Sequence, residues 1–192
     1  MITLYGSTTS PYVRRLRMFL SDHGHTFVNM QIFDGPDRAE LARRNPTMKI
    51  PMLEDDGQML FDSRVIYRYL AQKFAQPALS WDQENLLTLI DAANDSLVQL
   101  MILKRSEVDI DEPRLYFRIQ RERVANVLAE LNKQAEQGAF RQWGYPAISL
   151  YCMLDWTRFR ALFDISPYPA LMAFLERESQ RPEAHATDPR QV

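Results

Sequence analysis

The sequence predicts an α/β domain over residues 1–76 and an all-helical domain over residues 77–192. Two observations lead to this prediction. The first part of the chain combines short apolar runs that are typical of strands with segments of helical spacing. After residue 76 the apolar residues keep helical spacing throughout, with proline-containing breaks between the segments. The chain therefore changes its secondary-structure content near residue 76.

The first elements are a strand and a helix. Residues 2–5 form an apolar run that predicts a strand, and a loop follows it. Ser10 and Pro11 are typical of an N-cap and a first helical residue, because the fixed φ and missing N–H of proline suit that position. The helix carries an apolar face and is expected to end at Gly24. A hydroxyl at a helix N-terminus favours a thiolate, since both the helix dipole and a hydrogen bond stabilise the charged sulfur.

A hairpin and a second capped helix follow. Residues 50–53 and 59–61 are short apolar runs separated by a turn that contains Asp56-Gly57, which indicates antiparallel pairing. Pro51 belongs at the first residue or the edge of its strand, and the bond before it can be cis. Asp62 or Ser63 then caps a helix whose first N–H groups can face an anion. The stretch from residue 45 to residue 63 is therefore predicted to bind a peptide-like ligand through its backbone and carboxylate.

The second domain is predicted as four helices. Ser80 caps the first, another runs from about residue 112 to Gly138, a more buried one spans about 148–159, and the last runs from Ala170 to about Glu178. Residues 179–192 lack large apolar side chains apart from the final valine, so a loosely docked tail is expected.

Composition excludes several classes of partner. A net charge of −2 gives no reason to expect nucleic acid or an anionic membrane, and no apolar run approaches a membrane span. One cysteine excludes an intramolecular disulfide, and no signal-like segment follows Met1, so a cytoplasmic location is expected. The three histidines show no metal-ligand spacing, and no metal is expected.

Residues 1–76 resemble the thioredoxin-like domain of the glutathione transferase family, and most closely its bacterial serine-type or omega-like members. The resemblance is carried by the following matching elements: Ser-Pro-Tyr-Val-Arg-Arg-Leu-Arg at 10–17, Asn45-Pro46, Lys49-Ile50-Pro51-Met52-Leu53, Asp62-Ser63-Arg64-Val65-Ile66 and Tyr69-Leu70. It implies the order βαβ-α-ββα for the first domain and a helical bundle for the second.

The resemblance also implies an activity. A glutathione transferase uses glutathione as co-substrate, lowers the pKa of its thiol and offers the thiolate to a small-molecule electrophile. Ser10 is implied to face the sulfur, and Tyr5 is the alternative thiol activator, because other classes of the family use a tyrosine at the end of the first strand. As plain structural residues, Ser10 is an N-cap and Tyr5 a half-buried strand residue.

The glutathione-binding residues follow from the same resemblance. Lys49, Ile50 and Pro51 are implied to line glutathione, with the Ile50 backbone bonded to its cysteinyl part beside a cis Pro51. Asp62 and Ser63 are implied to hold the γ-glutamyl amine and carboxylate. Both could instead serve only as a helix cap.

Other functions stay open at this point. The main alternative is a non-catalytic interaction protein with the same fold, of the stringent starvation protein type. A glutathione-dependent reductase or dehalogenase is a third possibility, and the absence of cysteine at position 10 argues against the reductase. A solvated face is the expected location of the arginines that could otherwise attract an anionic ligand, namely Arg14, Arg15, Arg17, Arg43 and Arg44.

Two further expectations concern the second substrate and assembly. Scattered apolar side chains build second-substrate pockets, and Tyr12, Met101 and Trp156 are the candidates. A homodimer is expected from the resemblance and from the broad apolar arc of the helix after Ser80. The chain also departs from the family, because Met48 replaces a usual glycine and Pro146 starts its helix without a capping box.

Overall fold

The computed structural model describes residues 1–191 and divides the chain into two compact units. One unit comprises residues 1–78 together with the segment from Arg181 onward, and the other comprises residues 79–180. The division falls two residues after the predicted domain boundary at residue 76. In the first unit the elements up to the division are β1 Thr3–Gly6, α1 Pro11–Phe19, β2 Thr26–Asn29, α2 Gly35–Arg44, β3 Met52–Asp55, β4 Gln58–Phe61 and α3 Ser63–Lys73.

The first unit is built on a mixed four-stranded sheet with the order β2-β1-β3-β4. β1 pairs parallel with β2 and antiparallel with β3, and β3 pairs antiparallel with β4. Leu4 on β1 is fully buried, whereas its neighbour Tyr5 packs in a separate cluster with Met30, Leu41 and Met52. The predicted order βαβ-α-ββα is confirmed.

The β3–β4 turn confirms the hairpin signal. Asp56 and Gly57 both have positive φ, 48° and 82°, and lie between the paired residues Asp55 and Gln58. Positive φ at both central positions matches the right-handed twist of the flanking strands. The turn therefore fixes the register that places Met52 opposite Phe61.

Helix α1 ends earlier than the sequence predicts. Its last helical residue is Phe19, and the Leu20 N–H completes the hydrogen bonding at the helix end by donating to Leu16. A further turn joins His23 to Leu20, so Gly24 lies beyond the end of the helix and does not terminate it. The ending comes from backbone turns that single-residue signals do not identify.

The second unit consists of four helices: α4 Trp81–Arg105, α5 Leu115–Glu136, α6 Tyr145–Arg160 and α7 Pro169–Glu178. Ser80 caps α4, as predicted, and it does so in a capping box with Gln83 that was not predicted. Every residue of α6 from 145 to 157 is buried, which makes it the central helix of this unit. The predicted helical second domain is confirmed.

Helix α4 differs from the expectation that no apolar segment of the chain approaches the length of a membrane span. It contains an 18-residue window with a mean hydropathy of 1.4, which is long and apolar enough to cross a membrane by composition alone. The core helix of a soluble protein passes the same test, and 44% of this window is buried inside the protein. The window is therefore weak evidence for a membrane span.

The final segment differs from the loose tail expected over residues 179–192. It forms α8, Pro182–Ala186, and a 3₁₀ turn, Pro189–Gln191, and it belongs to the first unit. The guanidinium of Arg14, only 2% exposed, donates to the Ala184 carbonyl at 3.0 Å and to Thr187 Oγ1 at 3.2 Å. Hydrogen bonds from a buried arginine hold this segment in place. The sequence prediction rests only on large apolar side chains as anchors and therefore misses these polar contacts. Val192 lies outside the described residues.

Candidate glutathione site

Two loops and the start of one helix lie at the same edge of the sheet in the first unit. Met52, the first residue of β3, pairs with Tyr5 of β1 on one side and with Phe61 of β4 on the other. β1 ends one residue after Tyr5, and β4 ends at Phe61. The loop that leads to Ser10, the loop that carries Ile50 and the start of α3 therefore all lie at this edge.

The first loop delivers Ser10 to the N-terminus of α1. Gly6 allows α1 to approach closely, because a Cβ at this position would lie 2.4 Å from a Val13 methyl carbon. The Ser10 N–H donates to the Ser7 carbonyl at 3.1 Å, which closes the turn. Ser10 Oγ accepts a long hydrogen bond of 3.4 Å from the Val13 N–H. Because the hydroxyl is the acceptor here, its proton remains available for another partner.

The second loop presents an unpaired backbone segment. The Ile50–Pro51 peptide is cis, and among residues 1–191 the structure records no hydrogen bond to the N–H or the carbonyl of Ile50. The side chain of Asn45, 1% exposed, braces the loop by donating to the Lys49 carbonyl at 2.7 Å. The side-chain oxygen of Asn45, Oδ1, also accepts from the Thr47 backbone N–H at 3.0 Å and from the Thr47 hydroxyl at 2.8 Å. Ile50 is therefore held with its backbone groups open to a ligand.

Met48 adopts a backbone conformation that favours glycine. It replaces the glycine that is usual in the family, and its φ is +54°. The left-handed region costs an ordinary side chain about 1 kcal/mol relative to glycine. The bond from the Met48 N–H to the Asn45 carbonyl, 2.9 Å, keeps the turn closed despite that cost. The turn is thus closed with methionine at this position.

The third part of the site is the start of α3. Asp62 is the N-cap, with an unusual φ of +70°, and its Oδ1 accepts from the N–H groups of Arg64 at 2.8 Å and Val65 at 3.3 Å. No protein partner of Oδ2 is recorded within residues 1–191. Ser63, the first helical residue, is 2% exposed, and its Oγ accepts a hydrogen bond from the guanidinium of Arg15.

Two arginines of α1 are buried, although no structural role was predicted for them. Arg14 and Arg15 were expected on a solvated face, but they are 2% and 3% exposed. Their burial follows from long-range partners, the final segment for Arg14 and Ser63 for Arg15. The bracing role of Asn45 could have been suspected, because asparagine before a turn commonly bonds to the backbone two residues on.

Tyr5 lies in a different environment from Ser10. Its hydroxyl donates to Glu54 at 2.9 Å and accepts from Arg44 at 3.1 Å, so it is already both a donor and an acceptor within the protein. Burial and the hydrogen bond to Glu54 raise the pKa of Tyr5 above its ordinary value of 10.0, against the opposing charge of Arg44. The network extends from Arg44 to Glu40 at 2.5 Å. Tyr5 thus joins α2 to the sheet.

The candidates for the second-substrate pocket belong to different units. Tyr12 lies on α1 of the first unit, and the Arg15 guanidinium carbon stands 5.0 Å from its ring centroid. Met101 and Trp156 lie on α4 and α6 of the second unit, where Trp156 is 3% exposed. Their assignment stays a prediction. Among residues 1–191 no group of three or more His, Cys, Asp or Glu side chains is arranged to hold a metal.

Curated relatives match less than half of the chain. Glutathione S-transferase 4 of Zea mays is 33% identical over 93 residues, 47% of this chain and 42% of the relative. A stringent starvation protein A homolog of Coxiella burnetii is 32% identical over 79 residues, 41% of this chain and 38% of the relative. The chain thus spans less than half the length of these relatives.

Solved structures match over the whole chain. A glutathione transferase family member from Pseudomonas fluorescens Pf-5, crystallised with bound glutathione, has a TM-score of 0.81 and 28% identity, covering 97% of this chain and 98% of that one. A structure from the same organism with bound S-(propanoic acid)-glutathione gives a TM-score of 0.82 and 29% identity, covering 98% and 99%.

Family models cover both units. The glutathione S-transferase N-terminal domain matches residues 4–78, and the glutathione S-transferase C-terminal domain matches residues 83–177. Both matches agree with the resemblance found in the sequence. The chain belongs to the glutathione S-transferase family.

Proposed function

We propose that the protein is a glutathione transferase, which binds glutathione at the sheet edge described above and activates its thiol for attack on a small-molecule electrophile. The observation that carries the proposal is the open backbone of Ile50 beside cis Pro51, between the N-termini of α1 and α3. An extended peptide can pair with such a backbone, and helix N-termini favour its anionic groups. Asp62 Oδ2 is suited to the γ-glutamyl amine, and Ser63 to the carboxylate.

Ser10 is the proposed thiol activator. A free thiol with a pKa near 8.5 is only a few per cent ionised at pH 7, and a shift of about two units would make it mostly thiolate. That shift corresponds to about 2.7 kcal/mol of differential stabilisation. The helix dipole and one hydrogen bond to a charged sulfur together reach this magnitude. Because Ser10 Oγ accepts from Val13, its proton can be donated to the sulfur.

The relatives support this proposal in two ways. The structural neighbours from Pseudomonas fluorescens Pf-5 were crystallised with glutathione and with S-(propanoic acid)-glutathione. The second of these ligands carries a substituent on sulfur, which is the kind of product that a glutathione transferase forms. The electrophile that this chain accepts, its assembly as a homodimer and its cytoplasmic location are part of the same proposal.

Binding is tested by replacing Ser63. We expect Ser63→Ala to weaken glutathione binding, measured by isothermal titration calorimetry, by roughly 1.5–3 kcal/mol, because it deletes a hydrogen bond to a carboxylate. Ser80→Ala is the control for a general loss of stability, since Ser80 caps a helix of the other unit through the Gln83 N–H at 3.2 Å. It should lower stability by about 1 kcal/mol without changing affinity. Equal affinities of wild type and Ser63→Ala would leave Ser63 only its structural role as the acceptor of the Arg15 hydrogen bond.

An interaction protein is the second candidate, because a stringent starvation protein A homolog is 32% identical over 79 residues of this chain. The two candidates separate in one experiment. A glutathione transferase is retained on immobilised glutathione and eluted by free glutathione. A protein that folds normally, shows no calorimetric binding of glutathione up to millimolar concentration and conjugates no aromatic halide would favour the interaction protein.

A further inference from the structure

The buried arginine beneath the start of α3 is the feature that the proposed function does not yet use. Arg15 projects from α1 with only 3% of its surface exposed, and its guanidinium donates to Ser63 Oγ. The contact joins two residues that are 48 positions apart. A buried cation is costly unless its surroundings compensate for the loss of water, so a guanidinium is not a neutral choice at this position.

The direction of this hydrogen bond determines what Ser63 can do. A guanidinium can only donate, so Ser63 Oγ must be the acceptor. The single hydroxyl proton of Ser63 is then directed away from Arg15, towards another acceptor. A hydroxyl that accepts from a cation is polarised and becomes a stronger donor, and it favours an anionic acceptor over a neutral one.

Arg15 is also oriented by a second contact. Its guanidinium carbon lies 5.0 Å from the centroid of the Tyr12 ring, which is within the range of a cation–π interaction. A planar guanidinium can satisfy a ring face and a hydroxyl at the same time, whereas the ammonium of lysine is a compact and strongly hydrated charge. The arrangement therefore fits arginine better than lysine.

We infer that Arg15 is a positioning residue for the γ-glutamyl carboxylate of glutathione: it orients the Ser63 hydroxyl and supplies positive charge behind it without touching the ligand. This inference rests on the proposed function, because it needs glutathione to bind with its γ-glutamyl carboxylate at Ser63. It adds a source of ligand selectivity, since an uncharged γ-acyl group would gain nothing from the buried cation.

The test compares three ligands by calorimetry. They are glutathione, glutaryl-cysteinylglycine, which lacks the γ-glutamyl amine, and 4-aminobutanoyl-cysteinylglycine, which lacks the neighbouring carboxylate. We expect Arg15→Gln to weaken the two carboxylate-bearing ligands by about 10- to 100-fold, the range for one hydrogen bond to a charged group. Binding of 4-aminobutanoyl-cysteinylglycine should change by less than about threefold. The pKa of the bound glutathione thiol, measured at saturation, should stay at its wild-type value.

A neighbouring residue provides the matched control. Arg14 is equally buried on the same helix but donates to Ala184 and Thr187 instead. Arg14→Gln should lower stability without discriminating between the three ligands. If Arg15→Gln fails to fold, Arg15→Lys keeps the charge and should show the same selectivity with a loss of about 3- to 10-fold.

Two results would overturn the inference. One is an equal loss for all three ligands in the Arg15 variants, and the other is no loss for any of them while wild type binds glutathione. A wild-type protein that binds none of the three ligands would instead overturn the proposed function, so the two failures are distinguishable.

Discussion

Hydroxyl groups at Ser10 and Tyr5 differ in how much of their hydrogen-bonding capacity the fold already uses. Ser10 Oγ accepts one long bond of 3.4 Å from Val13, which leaves its proton for a ligand. The Tyr5 hydroxyl both donates to Glu54 and accepts from Arg44. Activating a thiolate requires a free donor, because the thiolate is the acceptor. This difference favours Ser10, the first choice of the sequence analysis, over Tyr5, its alternative.

The prediction at these residues concerns the thiol pKa. Ser10→Ala should raise the pKa of bound glutathione towards 8.5 and lower turnover at pH 7 by about tenfold to a thousandfold, with little change in affinity. Ser10→Thr keeps the hydroxyl and is the matched control. Thiolate absorbance titrated against pH, together with conjugation rates on an aromatic halide, measures both effects.

Tyr5→Phe should leave that pKa unchanged and act on stability instead, because it breaks the bonds to Glu54 and Arg44. The roles would be reversed if Tyr5→Phe moved the thiol pKa while Ser10→Ala did not. A glutathione complex that forms no thiolate below pH 8 would remove the catalytic role from both residues, because binding without ionisation does not accelerate thiol addition.

At the scale of secondary-structure elements, the start of α7 depends on a residue from a distant part of the chain. The side chain of Asn132 on α5 caps α7, since its Oδ1 accepts from the N–H groups of Ala170 at 2.9 Å and Leu171 at 3.3 Å. Its amide nitrogen donates to Glu136 at 2.8 Å, which fixes the orientation of the side chain. The first N–H groups of α7 are thus satisfied by another helix.

Removing this cap should loosen the second unit. We expect Asn132→Ala to lower the free energy of unfolding by about 1–2 kcal/mol, whereas Asn132→Asp, which keeps the accepting oxygen at a helix N-terminus, should cost less. The protein has three tryptophans, Trp81, Trp143 and Trp156, and all lie between residues 79 and 180. Urea denaturation followed by tryptophan fluorescence therefore reports on this unit. Equal losses in both variants would show that Asn132 acts through packing.

The difference between local and distant partners explains what the sequence could predict. The Asp56-Gly57 turn, the Ser10 cap and the Ser80 cap each depend on residues within a few positions, and all three are found as predicted. The bond between Arg15 and Ser63, by contrast, spans 48 positions, and the bond between Arg14 and Ala184 spans 170. A single sequence contains no periodic or turn signal for such pairs, and arginine usually indicates a solvated face. The site loops were therefore predictable, but the buried charges behind them were not.

At the scale of the whole molecule, the first unit gathers both ends of the described chain, because residues 1–78 fold with the segment from Arg181 onward. Asp55 is a buried charge within this unit, with only 1% of its side chain exposed. Its Oδ2 accepts from the Tyr69 hydroxyl at 2.8 Å and lies 2.5 Å from Lys73 Nζ, while its Oδ1 is 3.5 Å from the Met1 amino group. One carboxylate thus joins the end of β3 to α3 and to the start of the chain.

Acid should weaken this unit through Asp55. Burial alone would raise the pKa of this carboxyl, but the hydrogen bonds from Lys73 and Tyr69 prevail and hold it below its ordinary value of 3.8. A group with a lowered pKa in the folded state contributes its full stability above the unfolded pKa, and it loses that contribution as pH falls through the folded one. The contribution of Asp55 is therefore complete at pH 7 and declines below about pH 4.

Asp55→Asn isolates this effect from that of the other carboxyl groups, which titrate in wild type and variant alike. We expect it to lower the free energy of unfolding at pH 7 by about 1.5–3 kcal/mol, because it removes the charge that accepts the hydrogen bonds of Tyr69 and Lys73. The difference from wild type should shrink as pH falls from 5 to 3, measured by urea denaturation and far-ultraviolet circular dichroism.

Asp56→Asn is the matched control, since its carboxylate is 77% exposed and asparagine tolerates its positive φ. It should change stability by less than about 0.5 kcal/mol at every pH. Protonation of Asp55 should remove its stabilising effect in wild type. The lowered pKa would therefore be contradicted if the difference in free energy of unfolding between wild type and Asp55→Asn stayed constant or grew towards pH 3.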